Sequence, residues 1–170
     1  MQIRRLIPAI AVLAFASPAA AQNQSVNSVK PLYDMAKGWI IASAEKVPEE
    51  HYSFKPTPEV RSFGQLLGHV ANASYMFCSG ATGGSSPSSG DAEELTSKAE
   101  LVAAVKAAFA YCDEAYAMTD ATAMESVSFF QQTNTRLWVL AFNVSHDFEH
   151  YGNMVTYMRL KGIVPPSSAG

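Results

Sequence analysis

Four segments of this chain place apolar residues at every third or fourth position, and almost nowhere do they alternate at every second, so helices rather than strands must build it. The first segment runs from Val26 through Val29, Leu32, Tyr33, Ala36, Trp39 and Ile40, and the three prolines of "VPEEHYSFKPTPEV" end it. The second opens on Ser62-x-x-Gln65, a capping box, and continues through Leu66, Leu67, His69, Val70, Ala73, Met76 and Phe77. The third opens on Ser97-x-x-Glu100 and runs through Leu101, Val105, Ala108, Phe109 and Cys112 to about Met118. The fourth and longest begins at about Asn134 and is stopped by Gly162 and Pro165-Pro166. Four helices without strands predict an all-α four-helix bundle.

The connections bear on topology. Helices two and three are separated by roughly 17 residues, which at about 3.3 Å each can cross the length of a bundle, so these two helices are expected to run parallel. Its Gly/Ser-rich part, "SGATGGSSPSSGDA", is too poor in large apolar residues to supply a core position. The second connection, Thr119 to about Thr133, carries Phe129 and Phe130 and is expected to pack across one end of the bundle.

Residues 1–21 stand apart. Arg4 and Arg5, the apolar run Leu6 to Ala16 and the small residues Ala19-Ala20-Ala21 have the order of a secretory signal, with cleavage expected after Ala21. The run is broken by Pro8 and Pro18 and is shorter than the roughly 20 residues of a membrane-spanning helix. Removing 21 of 170 residues leaves 149, enough for one domain, expected over 22–166 with a tail of 167–170. The count of 12 basic against 15 acidic residues then becomes 10 against 15. Such a mildly acidic protein, with no clustered Lys/Arg stripe, is not expected to bind nucleic acid or an anionic membrane. A periplasmic or secreted destination preserves disulfides, and Cys78 and Cys112 read as a bridge; two small buried hydrophobes that never meet are the alternative.

His146 and His150 lie four residues apart in the last helix, which stacks their rings on one face about 6 Å apart. The same stripe holds Asn143, Asn153 and Tyr157. A polar seam on an apolar helix needs partners for every group, and a divalent metal is one way to supply them, because neutral imidazole ligates such ions and the spacing lets two rings converge. His69, midway along helix two, would complete three nitrogens from two helices and leave positions open, whereas His51 lies in the Pro-rich connection and reads as surface. Asp147 and Glu149 are turned about 100° per residue from the ligands and read as a solvated or helix-packing face. Asn72, Asn143, Asn153 and Tyr157 are the candidates to orient a substrate or support the ligands.

"FKPTPEVRSFGQLLGHVANAS" followed by "HDFEHYGNMVTYMRLKGIVPP" resembles the DinB family, also called DinB/YfiT-like, over nearly the whole chain after the signal. The resemblance implies an up-down-down-up four-helix bundle with Zn or Ni held by His69, His146 and His150. Asn153 stands where many members carry Gln. Some members transfer low-molecular-weight thiols, so the resemblance implies a metal-dependent thiol transferase or hydrolase. A non-catalytic metal or small-ligand binding protein of the cell envelope is the other reading. The expected partner is a small molecule, and a second copy of the chain is a further candidate.

Overall fold

The computed structural model describes residues 24–88 and 90–169, and the signal expected at 1–21 lies outside them. Its helices are α1 (Gln24–Lys46), α2 (Phe63–Thr82), α3 (Lys98–Ala115), a single turn α4 (Asp120–Ala123) and α5 (Arg136–Leu160). The expected second connection is more ordered than an irregular loop, for it folds into α4 and an antiparallel hairpin of β1 (Ser126–Phe129) and β2 (Gln132–Thr135). Four-residue strands are too short for an alternating pattern to stand out in a sequence, and so the hairpin is missed by periodicity. No described helix is long and apolar enough to cross a membrane.

Caps set the helix ends where the sequence places them. The Ser62 hydroxyl accepts from the Gln65 N–H while the Gln65 side chain accepts from the Ser62 N–H, closing the box at the start of α2. At α3 the Ser97 hydroxyl accepts from the Glu100 N–H, but the Glu100 carboxylate accepts from that same hydroxyl and leaves the backbone alone. The far end of α5 closes with Gly162 at φ 70°: the Ile163 N–H reaches the Met158 carbonyl and the Gly162 N–H the Arg159 carbonyl. That paired arrangement is the Schellman stop, and glycine supplies its left-handed residue without a Cβ clash. α1 is capped from a distance, by Asp120 accepting from the Ser25 and Val26 N–H groups.

Contacts between helices establish the directions. Gly64 near the start of α2 faces Leu101 near the start of α3, and Cys78 late in α2 is disulfide-bonded to Cys112 late in α3, so these helices are parallel. Lys37 pairs with Asp113 and Glu45 with Lys106, which makes α1 antiparallel to α3. Tyr157 late in α5 bonds the Arg61 carbonyl just before α2, and Arg136 at the start of α5 bonds the Ala81 carbonyl at the end of α2. The order is therefore up-down-down-up, as expected, with the crossover of residues 83–97 running back along the bundle. The core between the helices is aromatic-rich: Tyr33 stacks on Tyr116 at 3.8 Å, and Phe63, Phe77, Phe109 and Leu140 are fully enclosed. Each such side chain contributes roughly 1.5–3 kcal/mol by leaving water.

One close approach positions the site. The turn Ala92–Glu94 of the crossover lies directly on α2 at Gly68, where a Cβ would overlap the Ala92 carbonyl and the Glu93 nitrogen. Only a residue without a side chain lets backbone meet backbone there. Asn72, one turn on, fastens the same turn by accepting from the Ala92 N–H at 3.0 Å and donating to the Asp91 carboxylate.

Candidate metal centre

α2 and α5 run antiparallel, and where they face each other they bring His69, His146 and His150 together. The His146 Nε2 lies 3.2 Å from the His69 Nε2 and 3.0 Å from the His150 Nε2. One candidate ligand atom from each of the three rings lies within 4.8 Å of the others. A ring nitrogen carries either one proton or one lone pair, so the His146 Nε2 can bond well to only one of its two neighbours. Three lone pairs turned to one point are satisfied together by a cation, and ligands held at about 2.0–2.1 Å around a tetrahedral ion sit roughly 3.3 Å from one another. The spacing of these nitrogens fits a metal.

His69 is held by a carboxylate. Its Nδ1 lies 2.8 Å from the Glu93 Oε1, and Glu93 in turn takes hydrogen bonds from the Arg61 guanidinium, 2.8 Å from Nε to Oε2. Burial raises the affinity of Glu93 for a proton, but the bonds from Arg61 and His69 outweigh it and hold the carboxyl below its ordinary range. A carboxylate on the far nitrogen of a ligating histidine fixes the tautomer that presents the other nitrogen. The Nδ1 atoms of His146 and His150 are enclosed without a protein partner; the helix and the neighbouring rings, Phe77 at 5.3 Å from His146 among them, hold these two in place.

The electrostatics disfavour protonation of the two histidines of α5. Burial, then the His150 and His69 imidazoles and Arg61, push His146 down to about 4, and burial, His69 and Arg61 also lower His150. In metal-free protein the unfolded chain takes up a proton on His146 as pH falls below about 6.5, while the folded protein resists until about 4. The His146 contribution is thus intact above pH 6.5 and is lost on acidification, by roughly 3 kcal/mol once the pH is below about 4. Asp147 acts with the opposite sign, since burial raises it well above the ordinary carboxylate range and folding then favours the protonated acid. Melting curves in chelator at pH 7 and pH 4.5 separate the two. The stability of His146→Gln relative to the native protein should rise on acidification, and parallel curves would contradict this assignment.

The other candidate residues fall in distinct places. Asn143 is buried, donating to the Tyr116 hydroxyl at 3.0 Å and to Asp147 at 3.3 Å. Asp147 is fully buried and packs into the core, whereas Glu149 is exposed. Asn72 fastens the crossover, as described above. Asn153 and Tyr157 line a polar cavity of about 610 Å³ beside His150, together with Lys55, Arg61 and Glu149. Tyr157 donates to the Arg61 carbonyl at 2.9 Å and so fixes the residue that holds Glu93. A second cavity of about 350 Å³, nearly all apolar, opens on the side of His69 and His146. Glu93, Arg61 and Gly68 were not found by spacing in the sequence, because they meet His69 only through the docking of the crossover.

The DinB superfamily model matches residues 40–154, a span that contains all three histidines. Among similar proteins, YjoA of Bacillus subtilis (strain 168) is 25% identical over 127 residues, covering 70% of this chain and 79% of its own. A crystal structure of a DinB-like protein from Bacillus cereus ATCC 10987 superposes with a TM-score of 0.73 at 18% identity, over 82% of this chain and 95% of the other. The crystal structure of the B. subtilis YjoA gives a TM-score of 0.60 at 22% identity, over 82% and 92%.

Proposed function

The chain belongs to the DinB superfamily, and from that premise we propose that it is an exported protein holding one divalent metal ion, Zn or Ni, on His69, His146 and His150. The observation that carries this reading is the meeting of three Nε2 atoms at 3.0 and 3.2 Å, a spacing that serves a cation better than it serves hydrogen bonds among imidazoles. Three neutral ligands leave the ion its charge and leave coordination positions open, the arrangement of catalytic rather than closed structural sites. When bound, the ion supplies Lewis acidity that ionises a weakly acidic nucleophile near neutral pH. The chain's own contribution is to aim His69 through Glu93, to present the charged and polar groups Lys55, Arg61 and Asn153 beside His150, and to wall the other side with apolar rings. The activity that suits these parts is a metal-dependent transferase or hydrolase acting on a small molecule.

The pairing of Glu93 with both Arg61 and His69 favours a second reading. A carboxylate committed to positioning is poorly placed to carry a proton, which suits a protein that binds its ligand without turning it over. Elemental analysis of protein purified from its own secretion route, without an affinity tag, tests the shared premise. About one divalent ion per chain is expected; metal-free protein that takes up none on dialysis against Zn or Ni would reject it. Screening the loaded protein for hydrolysis and group transfer then separates enzyme from binder.

Replacing the aiming carboxylate gives a graded result. Glu93→Gln removes the charge while keeping the shape, and the affinity for the ion should fall about 10–100-fold. Competition with a chromogenic chelator measures this, and an unchanged constant would mean that His69 is oriented by packing alone.

A further inference from the structure

The apolar cavity beside the candidate metal centre is bordered by a residue whose backbone conformation is costly. β1 and β2 are joined by Phe130 and Gln131, with φ of 49° and 61°. Two-residue hairpin turns of this hand take Asn-Gly by preference, because a side chain at positive φ meets its own backbone. Here the first position carries a phenyl ring that is 56% exposed. The hairpin is also clamped: Phe129 lies over Gly80 of α2, so close that a Cβ there would meet its ring at 2.7 Å. The result is a wall of three rings packed edge to face. Phe77, Phe130 and Phe142 stand 5.0 to 6.3 Å apart and nearly perpendicular to one another, with Met76 on the rim and His69 and His146 as the wall toward the ion. Strain kept in a folded protein tends to mark a functional position.

We propose that the cavity this wall lines seats the aryl or branched alkyl group of a small molecule whose anionic head, carried one or two bonds away, ligates the metal, and that Phe130 is the residue that selects for that group. The proposal rests on the metal reading given above. Three observations single out a small molecule among the occupants an apolar surface can have. The cavity, at about 350 Å³, has the size of a pocket for such a group and is concave. It is continuous with the candidate ligands, so an apolar group in it lies beside the point where a head group meets the ion. The cavity by His150 is polar, with Lys55, Arg61 and Asn153 beside Glu59, Glu93 and Glu149, which leaves the polar part of the ligand on one side of the ion and the apolar part on the other.

The probes are acetohydroxamic acid and phenylacetohydroxamic acid, which share a metal-binding head and differ by a ring. Titration calorimetry on zinc-loaded full chain should show the aryl compound binding about tenfold more tightly, from the apolar area it buries. Phe130→Gly suits the positive φ and therefore keeps the turn while deleting the ring; the preference should drop below about threefold, with acetohydroxamate affinity and zinc content unchanged. Phe142→Ala should act in the same direction. Equal affinities in the native protein, or a preference that survives both substitutions, overturns the proposal. A native dimer in sedimentation that Phe130→Gly dissociates overturns it too, since a second copy then covers the rings. Acetohydroxamate that fails to bind, or that binds metal-free protein equally, rejects the metal reading instead and takes this proposal with it.

Discussion

His146→Ala should abolish stoichiometric metal binding, taking content from about one ion per chain to near zero, with a loss of affinity of at least about a hundredfold. The Nε2 of His146 is the atom that approaches both other ligands, at 3.2 Å and 3.0 Å, and without it only two imidazoles, one from each helix, remain for the ion. Losing an outer partner of a ligand already costs about 10–100-fold, so losing the central ligand sets a higher floor. The fold should survive. In metal-free protein His146 is a partly buried base that acid destabilises, and its deletion removes that burden. His51→Ala provides the contrast, because His51 sits in the 3-10 turn Glu49–His51 outside the cluster, and its loss should leave metal content unchanged. Equal metal content in the His146 variant and the native protein would reject the three-histidine site.

Replacing both Cys78 and Cys112 by Ala should lower stability by about 3–4 kcal/mol, or Tm by roughly 10 °C. The bridge closes a loop of 34 residues in sequence, and the entropy withheld from the unfolded chain grows with the logarithm of that length. Both cysteines are fully buried, so the cavities left by two sulfur atoms add to the loss. The bridge lies between α2 and α3, while the histidines lie between α2 and α5, and metal stoichiometry in the double variant below its Tm should therefore match the native value. A fall in Tm of less than about 2 °C would show that the loop is already restrained in the unfolded state. Two free thiols in native, non-reduced protein would show that no bridge forms.

The helices and most of their ends were legible because their determinants are local. Three-four spacing, Ser62 with Gln65, Ser97 with Glu100 and Gly162 all act within a turn or two of chain, where sequence distance and spatial distance agree. His146 and His150 were legible for the same reason, since four residues on a helix is one turn. Pairing Cys78 with Cys112 required the parallel run of α2 and α3 that the length of the crossover implied, and adding His69 required α2 to face α5. The hairpin around Phe130 left no such trace, being made of strands too short to show a period and a turn lacking the usual residues.

What the sequence determined by itself was a bundle of four long helices with imidazoles turned to one side of two of them, because periodicity and capping are energies of neighbouring residues. What only the tertiary structure decided was which groups surround those imidazoles. Glu93 reaches His69 because Gly68 has no side chain to keep the crossover away, and Asp147 is buried beside Asn143 because α5 presents that side to the core. Such contacts join positions far apart along the chain through the close approach of backbones, and their free energy exists only once the helices have packed.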